Sequence, residues 1–311
     1  KRKRSEMNNP VIKKKSGMQK SFFERMAPVV FLGPAVIMLV CISIIPIGYS
    51  FYLSFQSYNL AMPASTVHFV GIKNYMDMLA DKNFIASIQW TLTFAVVVVA
   101  IETVLGLVIA SMLNSEASAR FAAPFKTLLI IPMMVAAVVS ATVWKLMFYP
   151  VYGVVNNTLS LMGFSEINWL GETFYAKIAI IIVEVWMATP FCVLVFQAAL
   201  KTVSTEMIEA ARVDGASGPR IFFSITLPTI RNFIALVISI RISDALRAFD
   251  AVMQLTNGAP GASTETIGTT IYKTAFRYNN VGQGSAGAFI FFVVVSIVAV
   301  ATMLIMRKQD N

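Results

Sequence analysis

Six apolar stretches recur along the chain, each close to the ~20 residues a helix needs to cross a bilayer. They cover roughly residues 28–51, 85–113, 127–149, 175–200, 229–252 and 286–306. In hydrocarbon a segment must satisfy its own backbone hydrogen bonds, so runs of this kind fold as helices. Hydrophobic residues make up 57% of the 311 and charged residues only 13%, whereas a soluble domain carries about a quarter charged residues. The expected fold class is an all-α membrane protein with six spans in one bundle. Residues 28–306 form its transmembrane domain, 1–27 a basic tail and 307–311 a short C-terminal tail. Pro46, Pro132 and Pro190 fall inside spans, where neighbouring helices can satisfy the backbone groups that a proline frees.

The formal charge of +9 is unevenly placed. Lys1, Arg2, Lys3, Arg4, Lys13, Lys14, Lys15, Lys20 and Arg25 all precede the first span. On the same side fall Arg120, Lys126, Lys201, Arg212, Arg220, Arg231, Arg307 and Lys308, against scattered bases such as Lys73, Lys82, Lys177, Lys273 and Arg277 opposite. The positive-inside rule then places both termini in the cytoplasm. No structured basic face with interleaved aromatics follows the tail, which argues against a nucleic-acid partner. The outside segments SYNL (57–60) and VGIKNYMDML (70–79) read equally as interfacial helices or as loop packing.

Little in the chain suggests catalysis. The sequence has no G-x-x-x-x-G-K-[ST] loop to cradle phosphates and no H-E-x-x-H. Cys41 and Cys192 lie within apolar runs and read as small buried hydrophobes rather than as a disulfide or metal pair. His68 stands alone in a loop. The first apolar run is too long for a cleavable signal peptide and lacks a small-residue cleavage site.

One polar segment interrupts this pattern. Between the fourth and fifth spans, at about 201–228, lies EAARVDGASGPRIFFSITLP (209–228). Ser204 or Thr205 offers cap chemistry for a short helix, with Glu206 and Glu209 in its first turns. Ala210 and Ala211 are small enough for another surface to approach closely. Gly215 permits a left-handed turn, and Pro219 and Pro228 sit where new helices begin. The segment therefore reads as a rigid knob projecting from the membrane.

This run resembles the EAA motif of binding-protein-dependent ABC importer permeases: Glu-Ala-Ala, three residues, glycine, nine residues, then Ile-x-Leu-Pro. The Asp214-Gly215-Ala216 triplet is similar to the carbohydrate branch. Likeness to maltose- and trehalose-type permeases extends through LGPAVIMLVCISIIPIGYSFYLSF, FVGIKNYMDML, LGLVIASMLN, NWLGE, VWMATPF and FDAVMQLTNGAPGASTETIGTTIYKTAF. The extra N-terminal spans and large outside insertion of some maltose permeases have no counterpart here.

The resemblance implies a permease subunit of the bacterial cytoplasmic membrane that moves a sugar, a di- or oligosaccharide. Its partners would be a second permease chain, two ABC ATPase subunits and an extracytoplasmic solute-binding protein. The chain itself would hold no cofactor, since ATP and Mg belong to the ATPases. Glu209, Ala210, Ala211, Asp214, Gly215, Leu227 and Pro228 would form the coupling element that enters a groove on the ATPase. Sugar-lining positions would correspond to Met187, Ala188, Phe191, Arg241, Asp244, Ala245 and Ala248, with Trp186 and Arg247 beside them.

Intramembrane charges supply independent candidates, since each costs about 2.5–3.5 kcal/mol or more at a helix centre. Arg241, Asp244, Arg247 and Asp250 are spaced so that Arg241–Asp244 and Asp244–Arg247 pair along one helix face. Two readings stand: structural ion pairing, and a polar strip that lines a solute path. Glu102, ahead of Gly106 and Ala110, reads as helix-packing glue; Glu184 fits either role. Carboxylates of this kind would also serve a proton relay, so an ion-coupled secondary transporter of a small polar solute is the alternative.

Overall fold

The structure is a computed structural model and describes residues 22–114 and 119–310. The basic residues from Lys1 to Lys20 lie outside that range, as do the side chains of Arg25, Arg120, Arg307 and Lys308. The chain divides into two compact units, Lys1–Ser50 and Phe51–Asn311. α1 (Phe22–Leu39) lies in the first and runs through one π-helical turn at Val40–Ile44 into α2 (Ile45–Leu53), whose last residues, from Phe51, belong to the second.

Helices account for nearly all regular structure in the second unit. Among the described residues, four helical stretches are long and apolar enough to cross a membrane: Val30–Leu53, Lys82–Leu113, Thr173–Leu200 and Val281–Leu304. Two bent pairs bring the total to six if each counts as one span. These breaks correct the expectation of continuous third and fifth spans.

The third is split into α5 (Ala119–Met134) and α6 (Ala137–Met147), with a 100° bend. Pro132 cannot donate to the helical ladder and its ring crowds the preceding turn, and shortly after it Ala136 is extended (φ −59°, ψ 139°). The fifth bends by 67° between Gly218–Thr229 and α12 (Arg231–Ala245). It stops short of the expected end, giving way at residues 246–249 before the short α13 (Asp250–Leu255). Pro190, by contrast, stays inside an unbroken α8 (Thr173–Leu200).

Of the two segments expected outside, the first packs as a loop and the second contains a helix that is packed against it. Ser57–Leu60 is not helical; Gln56 and Asn59 form antiparallel bridges to Phe69 and Asn280. The second segment forms α3 (Lys73–Ala80), held by Asn74, whose side-chain amide donates to the carbonyls of Ser54 and Gln56, both at 2.9 Å. Further along, α7 (Val154–Leu161) is tied to the following loop by Asn156. Its amide donates to the Ile167 carbonyl and its oxygen accepts from the Trp169 indole.

The core is built on α4 (Lys82–Leu113) packed along α8. Val98, Val99, Ile180 and Val183 pack within one buried cluster, and Ala110, Cys192 and Phe196 within a second. A Cβ on Gly106 would stand 2.5 Å from the Cys192 Cβ, so only glycine lets these backbones approach this closely. Cys192 is fully buried and Cys41 is exposed. Both are free thiols. α15 (Val281–Asp310) packs on α3 and α12 and ends the described chain.

Candidate functional site

Two regions hold the residues singled out by sequence. The first is the segment that links α8 to α12. Ser204 caps α9 (Thr205–Val213), its hydroxyl accepting from the Met207 amide at 3.4 Å. Glu206 in the first turn and Arg212 in the last both complement the helix dipole. Gly215 then takes φ +78°. The Ala216 amide donates to the Ala211 carbonyl (2.9 Å) and the Gly215 amide to the Arg212 carbonyl (3.0 Å). That pair of bonds is a Schellman closure, which requires a left-handed residue at the glycine position.

α9 is anchored on one side only. Ile208 packs against the buried cluster that contains Leu200, Val203 and Ile230. The opposite side carries Glu206, Met207, Glu209, Ala210 and Val213, all exposed, with Val213 at 88%. Beyond the turn come α10 (Gly218–Ile221), a π-helical stretch at Phe222–Thr226, and α11 (Leu227–Thr229). Leu227 is half-buried and Pro228 exposed. Asp214 closes α9 at its C-cap and is exposed.

The second region is a network of charges inside the bundle. Arg241 is 8% exposed. Its guanidinium grips Glu102 through two bonds, Nε to Oε2 at 2.8 Å and Nη2 to Oε1 at 3.2 Å. Nη2 also donates to Glu184 Oε1 at 3.0 Å, and Nη1 reaches Asp244 Oδ2 at 3.4 Å. Asp244 in turn accepts from Arg247 Nη2 at 2.8 Å. Three helices meet here, α4 through Glu102, α8 through Glu184 and α12 through Arg241.

Both pairs expected along the α12 face are therefore present. The stronger partners of Arg241 are the two glutamates on other helices. Sequence spacing reveals neighbours three or four residues apart but not contacts 139 or 57 residues apart. The available signal was that two acidic residues and one basic residue within spans, Glu102, Glu184 and Arg241, each needed a partner. Glu102 acts as packing glue in a literal sense, with no exposed surface.

The remaining candidates divide by exposure. Trp186, Asp244 and Arg247 are exposed, Met187, Phe191 and Ala248 half-buried, and Ala188 and Ala245 buried. Trp186 meets Trp144 edge-on at 5.7 Å between centroids. Asp250, the fourth charge of the run, opens α13 and is exposed.

A second buried pair went unforeseen. Lys273, counted by sequence among scattered outside bases, donates to the Glu265 carboxylate and to the Asn257 carbonyl. The Thr270 hydroxyl holds the other Glu265 oxygen at 3.0 Å. Gly258 (φ +85°) runs so close that a Cβ there would lie 2.5 Å from Glu265 Cγ.

Apolar spanning helices, intramembrane charges paired across three of them and a capped polar helix between two spans are the architecture of a polytopic membrane transport protein. Residues 102–310 match the family described as binding-protein-dependent transport system inner membrane component. The chain is 37% identical over 265 residues to the trehalose/maltose transport system permease protein MalF of Thermococcus litoralis, covering 84% of this chain and 87% of that one. It is 36% identical over 277 residues to a probable ABC transporter permease of Sinorhizobium fredii, covering 89% and 88%. In fold it is similar to a chain of a bacterial ABC transporter involved in the import of the acidic polysaccharide alginate, with TM-score 0.80, 22% identity, and 92% and 97% coverage. The chain belongs to the family of binding-protein-dependent ABC transporter permeases. It is a multi-pass inner-membrane component of a transporter, not an enzyme.

Proposed function

We propose that this permease carries a sugar, a di- or oligosaccharide, delivered by an extracytoplasmic solute-binding protein. It works beside a second permease chain, as a heterodimer, and two ABC ATPase subunits that bind ATP and Mg. Both termini face the cytoplasm, and residues 28–306 form the transmembrane domain. The observation that carries this reading is the 201–228 segment: a capped helix, a Schellman turn at Gly215 and a proline re-entry, anchored inward by Ile208 and open outward. A loop with no partner has no need of an apolar exposed face flanked by carboxylates.

In this reading Glu209, Ala210, Ala211, Asp214, Gly215, Leu227 and Pro228 couple the bundle to the ATPase. Met207, Ala210 and Val213 offer the apolar contact and Glu206 and Glu209 its charged rim. ATP binding moves the seated helices, and the solute-binding protein docks on the outward state. Each ligand shifts that equilibrium only by its differential affinity for the two states. The solute path runs along Trp186, Met187, Ala188 and Phe191 of α8 and the α12 end from Arg241 to Ala248. The sugar class rests on the named trehalose/maltose relative and on aromatic faces beside polar groups. Gentle purification from the native membrane is expected to bring down a second multi-span chain and a nucleotide-binding chain. Recovery of this protein alone, in a detergent that preserves such complexes, would overturn the proposal.

A further inference from the structure

Fold and family do not fix the charge of the solute. The solved relative with the same fold imports an acidic polysaccharide, and the trehalose/maltose relative is named for neutral sugars. The buried arginine would seat an anion if its donors were free. They are not: four of the five N–H groups of a guanidinium are taken, by Glu102, Glu184 and Asp244. Arg247, at 66% side-chain exposure, gives one N–H to Asp244 and one to the Ser243 carbonyl, and its charge is balanced by the Asp244 carboxylate beside it.

The network holds three carboxylates and two guanidinium groups, so one negative charge is in excess when all are ionised. Geometry assigns the excess to Glu184. Asp244 lies between two arginines and Glu102 is gripped by both its oxygens. Glu184 is bound through Oε1 alone, and its Oε2 has no hydrogen-bond partner among the described residues. Glu184 also lies one and two helical turns before Met187, Ala188 and Phe191, on the same face of α8. Its side chain retains 16% exposure, enough to present an oxygen.

We infer that Glu184 is a specificity-determining residue of the solute path, accepting hydroxyls from a neutral sugar and repelling anionic ones, while Arg241, at the start of the α12 side of that path, positions the carboxylates around it. The inference rests on the proposed path along α8. A carboxylate is an acceptor only, which suits sugar O–H donors and offers nothing to a uronate, phosphate or sulfonate. A cleft with low-dielectric walls focuses the field of such a charge.

The test reads charge at the path directly, with maltose or trehalose used only to check that the thiol lies on it. In the complete transporter, Cys41→Ser and Cys192→Ala remove this chain's two thiols, alanine keeping the Cβ that faces Gly106, and labelling is read on this chain alone. Met187→Cys then places a thiol one turn from Glu184, about 5–6 Å between Cβ atoms. Its rates of reaction with a cationic and an anionic methanethiosulfonate of similar size are compared, each normalised to a free thiol. A unit charge at that range, partly screened, favours the cation on the order of tenfold. Glu184→Gln is expected to bring the ratio to within about twofold of unity, and Glu184→Asp to preserve it.

If the anionic reagent reacts as fast as the cationic one with Glu184 intact, the inference falls, whether or not the Gln variant assembles. A cation preference that survives Glu184→Gln in an assembled transporter also overturns it. If maltose or trehalose presented with the binding protein still protects the thiol in those cases, the path reading stands. A thiol that reacts with neither reagent removes the path and the inference together.

Discussion

Glu102→Ala is expected to cost about 3–5 kcal/mol of bundle stability, the usual loss when one partner of a buried ion pair is removed. The substitution strips the two bonds that hold Arg241 from α4, including its shortest, and leaves the guanidinium to Glu184 of α8 and to the longer contact with Asp244 of its own helix. Removing both charges behaves differently. In Glu102→Leu with Arg241→Met no uncompensated core charge remains at that pair, and much of the loss should return, offset by the freed Glu184. Thermal unfolding of the purified permease in detergent, with single and double variants side by side, checks the order. A Glu102→Ala protein as stable as the parent would mean that the pair contributes nothing to holding α4, α8 and α12 together.

Gly215→Leu is expected to abolish coupling while leaving the bundle folded. The position has φ +78°, and open space surrounds it, with nothing within 4 Å of where a Cβ would stand. The penalty is therefore conformational: an L-residue in the left-handed region costs roughly 1–2 kcal/mol. That is a factor of about 5–30 in population, taken against the turn that sets the direction of α9. Uptake should fall by a comparable factor at unchanged expression, with ATP hydrolysis no longer following solute delivery. Normal uptake by Gly215→Leu would remove Gly215 from the coupling mechanism.

Much of this is legible in the sequence, for identifiable physical reasons. Long apolar runs must become helices in lipid, and the caps of α9 depend on local chemistry, Ser204 ahead of the helix and Gly215 after it. What spacing could not reveal is tertiary. Pro132 and Pro190 look alike in sequence, yet α5 breaks just beyond the first while α8 runs straight through the second. Proline permits a break, and the surrounding packing decides whether one occurs. Arg241 similarly shows its neighbour Asp244 three residues on, while Glu102 and Glu184 become its partners only once α4, α8 and α12 are assembled. Lys273 reads as a loop base until the Asn257–Gly258 turn folds over it.

Under the proposed function an external ATPase, and not an ion gradient, drives this permease. The most direct test is sugar uptake into liposomes holding the purified complex. Uptake is expected only with ATP supplied to the ATPase side and a loaded binding protein on the other, unchanged when ionophores collapse all gradients. Uptake by this chain alone, driven by an ion gradient and indifferent to ATP, would contradict it and make Glu102, Glu184 and Asp244 the centre of a different mechanism.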